Sequence, residues 1–472
     1  MNSRTSLADT DAQTLLTLYR RKEVSPVEVL AAVKERIEQC EGAVNAFSHL
    51  DLESAQADAV ASEARWAKGQ PAGLVDGIPT TVKDLLLARG WPTLRGSKTI
   101  DAKQPWAEDA PAVARLRENG AILLGKTTTP EFGWKGVCDS PQHGVTRNPW
   151  NLAMTPGGSS GGAGVAAALG MGCLHIGTDG GGSIRIPSSF SGVFGLKPTF
   201  GLVPAYPLSP FGRVAHLGPM TRSVTDAAAM LTVMAQPDVR DWHSLPHRPI
   251  DYRVGIDAGI TGLRVALSPT LGYASVDPEV RAAVVAGAEK LAALGAIVEQ
   301  VDPGFEDPTR HFEALWWSGA ANLRRSIPRE KWALLDPGLQ RFADLGQKFD
   351  HMEYLAAIDA CGSLGTHMAL FHEKYDVLLT PTVAIPPFEV NRVTPYADEQ
   401  QAWIAWSPFT YPFNLTQQPA ASVPCGFTKS GLPVGMQIVA AKYREDLVLR
   451  VARAFESAAP FAMPNRPVST SV

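Results

Sequence analysis

Short apolar runs alternate with helical stretches along most of the chain, and this alternation is typical of an α/β core. Residues 121–125 and 173–177 are compact apolar runs that predict buried strands. Residues 376–380 and 435–440 repeat the same pattern near the end of the chain. The chain therefore returns late to the same core, and we predict one large domain.

The segments on either side of the core have a different pattern. Residues 25–28 (SPVE) combine an N-cap, a first-turn proline and a capping-box glutamate, which predict the start of a helix. Residues 264–269, 277–295 and 296–301 predict a strand, a helix and a returning strand, that is, a βαβ unit. We divide the domain of residues 1–472 into N-terminal helical decoration (1–70), a catalytic core (about 71–235), an insertion with the βαβ unit and a variable pocket region (about 236–370), and a return to the core (about 371–472).

Charge and hydropathy narrow the possible partners. The 43 lysines and arginines nearly balance 47 acidic residues, and no basic block is long enough for nucleic-acid binding. The most apolar stretch, residues 164–177, is too short and too interrupted by glycine to span a bilayer. The polar N-terminus, residues 1–14, lacks the apolar segment of a secretory signal. The sequence therefore argues against nucleic-acid and membrane partners.

The five cysteines are odd in number, widely scattered and without a CxxC pair. This usage argues against both a disulfide framework and a thiolate zinc site. We therefore expect a protein of the reducing cytoplasm.

The first candidate for chemistry is GIPTTVKD at residues 77–84, in which Lys83 ends a β-like run. A buried ammonium loses hydration, so its pKa falls and the neutral amine can act as a base near physiological pH. A surface lysine at a strand end gives the same pattern. This string alone does not decide between them.

The second candidate is PGGSSGG at residues 156–162. Its glycines allow the backbone to approach a ligand closely and leave the hydroxyls of Ser159 and its neighbour unobstructed. A flexible linker has a similar composition but does not normally run directly into an apolar helical segment such as residues 163–169. The string therefore favours a site over a linker.

The third candidate is DGGGSIRIP at residues 179–187, which directly follows a predicted strand. Successive glycines can turn consecutive N–H groups towards one point, and such a nest suits a developing oxyanion. Ser183 stands at the end of the nest. The alternative is a structural turn in which Asp179 and Arg185 form a supporting ion pair.

The strings GIPTTVKD, PGGSSGG and GTDGGGSIRIP, in this order, resemble the three hallmarks of the amidase signature family. The resemblance continues through TRNPW (146–150), GLKPT (195–199), PMTR (219–222), YDVLLTP (375–381) and GLPVGMQ (431–437), and it is weakest across residues 319–370. It implies the fold of that family, a central mixed β-sheet flanked by helices on both faces.

The resemblance also implies the roles of three side chains. Lys83 is the base, Ser159 is the bridging serine in a cis peptide, and Ser183 is the nucleophile that attacks an amide carbonyl and forms an acyl-enzyme. The oxyanion hole is expected to consist of the backbone amides of Gly180, Gly181, Gly182 and Ser183. Gly180 departs from many relatives, which carry threonine there, and this removes a hydroxyl but keeps the backbone donor.

The expected substrates are small aryl or aliphatic amides, cleaved to a carboxylate and ammonia or an amine without a metal or an organic cofactor. Esters and carbamates present the same carbonyl and are expected side reactions. Phe132 and Trp134 follow a predicted strand, and Trp316 and Trp317 lie at the border of the less family-like region, so all four are predicted to bind substrate. A homodimer is expected only by analogy with relatives.

Two other catalytic or binding motifs match the sequence. GGSSG at residues 157–161 satisfies the nucleophile elbow of α/β-hydrolases, which would need a histidine such as His216, but a polar turn precedes it instead of a strand. GAILLGKT at residues 120–127 satisfies the P-loop expression of nucleotide-binding proteins. Its middle residues are apolar, as in a buried strand, and Thr129-Pro130 follows where a helix is needed.

Two further interpretations stay open. An amidotransferase subunit within the same family would release ammonia from glutamine and would need a partner protein. A carrier or scaffold protein, in which the glycines only form tight turns, would tolerate replacement of the serines and the lysine.

Overall fold

The computed structural model describes residues 6–397 and 403–466, so residues 1–5, 398–402 and 467–472 of the predicted segments lie outside the described residues. The strands are β1 (Phe47–Leu50), β2 (Pro79–Lys83), β3 (Ile122–Thr127), β4 (Asp139–Ser140), β5 (Gly144–Val145), β6 (Leu174–Asp179), β7 (Phe194–Lys197), β8 (His216–Thr221), β9 (Arg264–Leu267), β10 (Ile297–Gln300), β11 (Val377–Pro381), β12 (Ala420–Phe427) and β13 (Pro433–Ala440). Eleven of them form one sheet in the order β1-β3-β2-β6-β8-β7-β12-β13-β11-β9-β10, and β4 and β5 pair separately.

The sheet is mixed, as predicted. Strand β2 runs parallel to β3 and β6, and β9 runs parallel to β10 and β11, whereas the other neighbours are antiparallel. The predicted βαβ unit is confirmed, because β9 and β10 pair in parallel and the helix Pro278–Ala293 connects them. Strands from the core, the insertion and the C-terminal return thus join one sheet, while the division into four segments stays a prediction.

The α-helices are α1 (Ala12–Arg21), α2 (Pro26–Val44), α3 (Leu52–Ala67), α4 (Pro111–Glu118), α5 (Gly161–Leu169), α6 (Arg185–Ser191), α7 (Val224–Met234), α8 (Pro278–Ala293), α9 (Thr309–Arg325), α10 (Pro337–Gly346), α11 (His351–Phe371), α12 (Pro412–Leu415) and α13 (Glu445–Ala458). Helix α2 begins with the predicted capping box at Ser25. Among the residues that the structure describes, none of the helices combines the length and the apolar character needed to cross a bilayer.

Helices cover both faces of the sheet because successive strand residues point to opposite sides. In β3, Leu123 joins an apolar cluster that contains Leu116 of α4. Ile122 and Leu124 join a different cluster that contains Ile37 of α2. The predicted fold class, an α/β fold with helices on both faces of a mixed sheet, is therefore confirmed.

The candidate site lies where the chain leaves two neighbouring strands. Strands β2 and β6 are parallel, with Val82 opposite Ile176, so their carboxyl ends meet at the same edge of the sheet. Lys83 is the last residue of β2, and Asp179 is the last residue of β6. This arrangement brings the first and third sequence strings together across about 100 residues of chain.

Candidate active site

Lys83 is fully buried at the end of β2 and is surrounded by hydroxyl groups. Its Nζ donates to Ser159 Oγ at 2.7 Å, Ser160 Oγ at 2.8 Å and Thr178 Oγ1 at 2.8 Å. None of the carboxylates in the described residues forms an ion pair with it. The lysine therefore lacks the anionic partner that would hold a buried ammonium in the charged form.

Burial lowers the pKa of Lys83 to about 7, because the ammonium loses its hydration. The charges of Cys138 and Asp179 act in the opposite direction and offset only part of this effect. A substantial fraction of Lys83 is therefore neutral at physiological pH, with an amine lone pair next to a serine hydroxyl.

Ser159 is held in a tightly packed turn just before α5. The peptide bond between Gly158 and Ser159 is cis. A Cβ added at Gly158 would lie 2.4 Å from the carbonyl oxygen of Val137, and one added at Gly133 would lie 3.2 Å from Ser159 Oγ. Glycine is therefore required at position 158 for the turn to pack, and Ser159 has little room to move.

The glycine string forms the loop between β6 and α6, and the carboxylate of Asp179 organises it. Asp179 accepts hydrogen bonds from Gly182 N at 2.8 Å and Ile184 N at 3.1 Å, and its side chain pairs with Arg185 at 2.9 Å. Burial alone would raise the pKa of Asp179, but the charge and hydrogen bonds of Arg185 outweigh it and hold the pKa far below its usual range. The predicted ion pair therefore exists, and it fixes the loop that carries Ser183.

The loop leaves three backbone donors free. The N–H groups of Gly180, Gly181 and Ser183 have no acceptor among the described residues. The sequence predicts Gly182 as a fourth donor, but its N–H already donates to Asp179 Oδ1. The oxyanion prediction for Gly182 therefore does not fit this arrangement, whereas three neighbouring amides are available to an anionic oxygen.

Ser159 and Ser183 open into the same cavity of about 450 Å³. Thr178 and Gly180 line it beside them, and the two strings are tied together by a hydrogen bond from Ser160 N to Ser183 O at 3.1 Å. Apolar side chains form much of the remaining wall, among them Leu85, Leu86, Phe132, Val203, Phe211, Trp316 and Leu323. The cavity therefore combines a polar end with an apolar body of small-molecule size.

Only two of the four aromatic residues predicted to bind substrate line this cavity. Phe132 and Trp316 belong to its wall. Trp134 lies outside and packs against Phe342 of α10, with ring centroids 5.2 Å apart. Trp317 also packs on Phe342, at 5.4 Å, because neighbouring residues of a helix point in directions about 100° apart. The structure therefore places Phe132 and Trp316 on the cavity wall and Trp134 and Trp317 outside it.

Trp316 stands directly against the glycine loop. A Cβ added at Gly180 would lie 2.6 Å from Cζ3 of its indole ring. The ring is stacked on Phe211 at 3.8 Å, and its Nε1 donates to the carbonyl of Trp134 at 3.0 Å. The indole therefore occupies the space that a side chain at position 180 would need.

Several groups of the site carried no signal in the sequence strings. Thr178 supplies the third acceptor of Lys83, and Asn414 donates to both the carbonyl and the carboxylate of Asp179. Thr410 donates to the carbonyl of Gly181 at 2.6 Å. Asn414 and Thr410 follow the glycine loop by more than 200 residues, so only the folded sheet brings them to it.

The two competing motifs do not form the structures that they require. Residues 122–127 of the P-loop expression are a buried strand of the sheet instead of a phosphate loop. Lys126 there pairs with Asp84 at 3.3 Å. His216 lines the cavity, but its Nδ1 lies 2.7 Å from the carbonyl of Val214, and none of the described histidines bonds to Ser159. A histidine-based elbow is therefore not assembled.

Comparison with known proteins gives matches over almost the whole chain. Residues 28–449 match the family model described as Amidase. An acylamidase of Rhodococcus erythropolis is 37% identical over 458 residues, which is 93% of each chain. A glutamyl-tRNA(Gln) amidotransferase subunit of Synechococcus sp. (strain CC9902) is 35% identical over 465 residues, 93% of this chain and 94% of that protein. The crystal structure of a bacterial aryl acylamidase of the amidase signature family superposes with a TM-score of 0.88 at 30% identity and covers 96% of each chain.

Proposed function

The chain belongs to the amidase family of enzymes, which hydrolyse amide C–N bonds, and on this premise we propose that it cleaves small aryl or aliphatic amides through a serine acyl-enzyme. Ser183 is the nucleophile, Ser159 passes protons, and Lys83 is the base. The products are a carboxylate and ammonia or an amine.

The observation that carries this proposal is the hydrogen bond from Lys83 Nζ to Ser159 Oγ at 2.7 Å, made by a lysine that has no carboxylate partner in residues 6–397 and 403–466. Neutral Lys83 takes the proton of Ser159 as Ser159 takes that of Ser183, and Ser183 Oγ attacks the carbonyl carbon. The resulting oxyanion accepts hydrogen bonds from the free amides of the loop that begins at Gly180.

The same relay completes the reaction in reverse. Ser159 returns the proton to the departing nitrogen, which leaves as a neutral amine, and the acyl group stays on Ser183. Water then gives a proton through Ser159 to Lys83 and attacks the acyl-enzyme. As this second intermediate collapses, Lys83 returns the proton through Ser159 to Ser183 Oγ, and the released acid ionises to the carboxylate in solvent. Each step moves one proton along the relay, and neither a metal nor an organic cofactor enters the balance.

The cavity and the relatives support the substrate class. A volume of about 450 Å³ with an apolar body suits an aryl or alkyl group of moderate size. The acylamidase and aryl acylamidase relatives are named for amide cleavage. Esters and carbamates present the same carbonyl to Ser183 and are expected side reactions.

The test is hydrolysis of a panel of aryl and alkyl amides by the wild type and by Ser183→Ala, Ser159→Ala and Lys83→Ala, each checked for folding by circular dichroism. All three variants should lose activity, and a fluorophosphonate should label Ser183 in the wild type, detected by peptide mass spectrometry. Ser160→Ala is the matched control, since Ser160 also contacts Lys83 at 2.8 Å but is not a step of the relay. Label on Ser159 instead of Ser183 would reverse the two serine roles.

An amidotransferase subunit is the second candidate, because similarity to such subunits is nearly as high. Its substrate, glutamine, carries an ammonium that needs an acidic partner. Asp241 is the one carboxylate among the described residues of the cavity wall, and it already accepts the N–H groups of Ala205 and His243 at 2.9 Å. This favours a stand-alone amidase. Release of ammonia from glutamine, faster than from any aryl amide, would favour the amidotransferase.

The cytoplasmic location and the homodimer stay predictions. Four of the five cysteines are buried free thiols, as suits a reducing compartment. Light scattering of the purified protein would give its oligomeric state.

A further inference from the structure

One charged side chain of the cavity wall has no partner in the part of the chain that the structure describes. Arg95, half-buried in a wall that also contains Leu85, Leu86 and Phe132, makes no side-chain hydrogen bond or ion pair with any described residue. The other arginine of the wall, Arg325, donates to Asn322 Oδ1 at 3.0 Å.

The backbone holds Arg95 firmly at this place. The N–H groups on either side, of Leu94 and Gly96, donate to the Asp84 carboxylate at 3.2 and 3.3 Å, and its own carbonyl accepts from Phe132 N at 2.7 Å. Arg95 and Phe132 both have left-handed backbone angles, with φ of 54° and 52°. Such angles are unfavourable for side chains of this kind and cluster at ligand sites, where the surrounding structure enforces them.

The neighbouring acid does not neutralise Arg95. The carboxylate of Asp84 is occupied by two backbone amides and by Lys126 Nζ at 3.3 Å. Burial lowers the pKa of Arg95, and Asp84 offsets part of this, but a guanidinium remains charged throughout the physiological range. The wall therefore presents a cation with five N–H donors, on a fixed backbone, to the cavity, and a partly desolvated cation of this kind is stabilised by an anion supplied from the ligand.

We propose that Arg95 determines specificity by binding a carboxylate on the substrate, away from the scissile bond, so that the preferred substrates are amides of anionic compounds. This inference rests on the proposed amide hydrolysis and names its substrate class. The one carboxylate of the described wall, Asp241, is held by two backbone amides, so it neither pairs with Arg95 nor offers a site for a cationic substrate.

The experiment compares matched amides in two arms. In the acyl arm, the mono-4-nitroanilide of succinate is compared with the 4-nitroanilide of butyrate. In the amine arm, the butyramide of 4-aminobenzoate is compared with that of 4-toluidine. In each arm, kcat/KM is measured for wild type, Arg95→Met, Arg95→Lys and, as a control, Arg325→Met.

In one of the arms the wild type should prefer the anionic amide, and Arg95→Met should reduce the anionic-to-neutral ratio by about 10- to 100-fold, as for loss of a charge-assisted hydrogen bond. Arg95→Lys should keep part of the ratio, because the charge remains but the bidentate geometry is lost. Arg325→Met should leave the ratio within about threefold, because that guanidinium already has a partner.

The inference would be overturned if the neutral amides were hydrolysed and Arg95→Met left the anionic-to-neutral ratio of kcat/KM unchanged in both arms. The proposed function would then remain intact. If the wild type hydrolysed no amide, the proposed function would fail, but the role of Arg95 in binding a carboxylate could still be tested. Calorimetry of succinate mono-4-nitroanilide with Ser183→Ala and with Ser183→Ala/Arg95→Met would then decide, and equal affinity would reject the role of Arg95.

Discussion

Two buried lysines, Lys83 and Lys126, lie on neighbouring parallel strands and meet different partners. In the register of β2 and β3, Lys126 is opposite Val82, so Lys83 stands one residue further and points to the other face of the sheet. Lys83 meets three hydroxyls, whereas Lys126 pairs with Asp84 at 3.3 Å and also donates to the carbonyl of Leu86.

Burial is the largest cause of the lowered pKa of both lysines, which falls to about 7 for Lys83 and about 8 for Lys126. A low pKa therefore does not distinguish a base from a structural lysine. The partner of each lysine distinguishes the two, because the hydroxyl of Ser159 can pass a proton onwards while the carboxylate of Asp84 only compensates a charge. A catalytic lysine is thus recognised by two features together, a hydroxyl that can relay its proton and no anion beside it; among the described residues, Lys197 is also buried without an ion pair but donates only to backbone carbonyls.

The largest expected effect separates the two lysines by activity. Lys83→Met should lower kcat/KM by about 10³-fold or more, because the base is lost. Lys126→Met, assayed on its folded fraction at low temperature, should lose less than about tenfold, since its side chain takes part in no proton transfer. Steady-state kinetics on a chromogenic amide measures both. Equal losses of kcat/KM in two well-folded variants would show that Lys83 and Lys126 do not differ in catalytic role.

The next effect separates them by stability. Lys126→Met leaves the buried Asp84 carboxylate without its cation, and the free energy of unfolding should fall by about 3 kcal/mol. Urea denaturation followed by fluorescence measures this change. The double variant Lys126→Met/Asp84→Asn removes both charges and should regain part of the loss. An unchanged urea midpoint for Lys126→Met would mean that the pair contributes nothing.

The smallest effect is a shift in pH dependence. Because neutral Lys83 is the base, kcat/KM should fall about tenfold per pH unit below its pKa of about 7 and level off above it. Thr178→Val removes a hydroxyl that accepts a hydrogen bond from the charged amine of Lys83, so the pKa of Lys83 should fall. The decrease of kcat/KM at acidic pH should then move to lower pH by about half a unit. If the acidic decrease of kcat/KM occurred at the same pH in Thr178→Val, or disappeared in Lys126→Met, the titrating group would be a residue other than Lys83.

Local patterns were sufficient for the parts of the fold and site that depend on neighbouring residues. The capping box before α2 and the βαβ unit around α8 were predictable because caps and hydrophobic periodicity act within a few residues. Lys83, Ser159 and Ser183 could be proposed as one site because each lies in a string with unusual composition, and the structure brings the three strings to one edge of the sheet; their catalytic roles stay a proposal.

The remaining features depend on contacts that no local pattern contains. Arg95 is a single arginine in an ordinary loop, and only the folded wall shows that it lacks a partner among the described residues. The Gly182 amide was assigned to the oxyanion hole because glycine strings do not reveal which N–H the Asp179 carboxylate takes. Trp316 and Trp317 are adjacent in sequence, and the rotation of α9 decides which of them reaches the cavity.

The contact between Gly180 and Trp316 has a consequence for how such an enzyme can evolve. A side chain at position 180 of the glycine loop and the indole of Trp316 on α9 would occupy the same space, since a Cβ at position 180 would lie 2.6 Å from the indole ring. A larger side chain at position 180 is therefore tolerable only after Trp316 has become smaller, and the effect of each substitution depends on the other. Changes of substrate range through these positions must begin at Trp316, and a screen of single substitutions at position 180 alone would miss them.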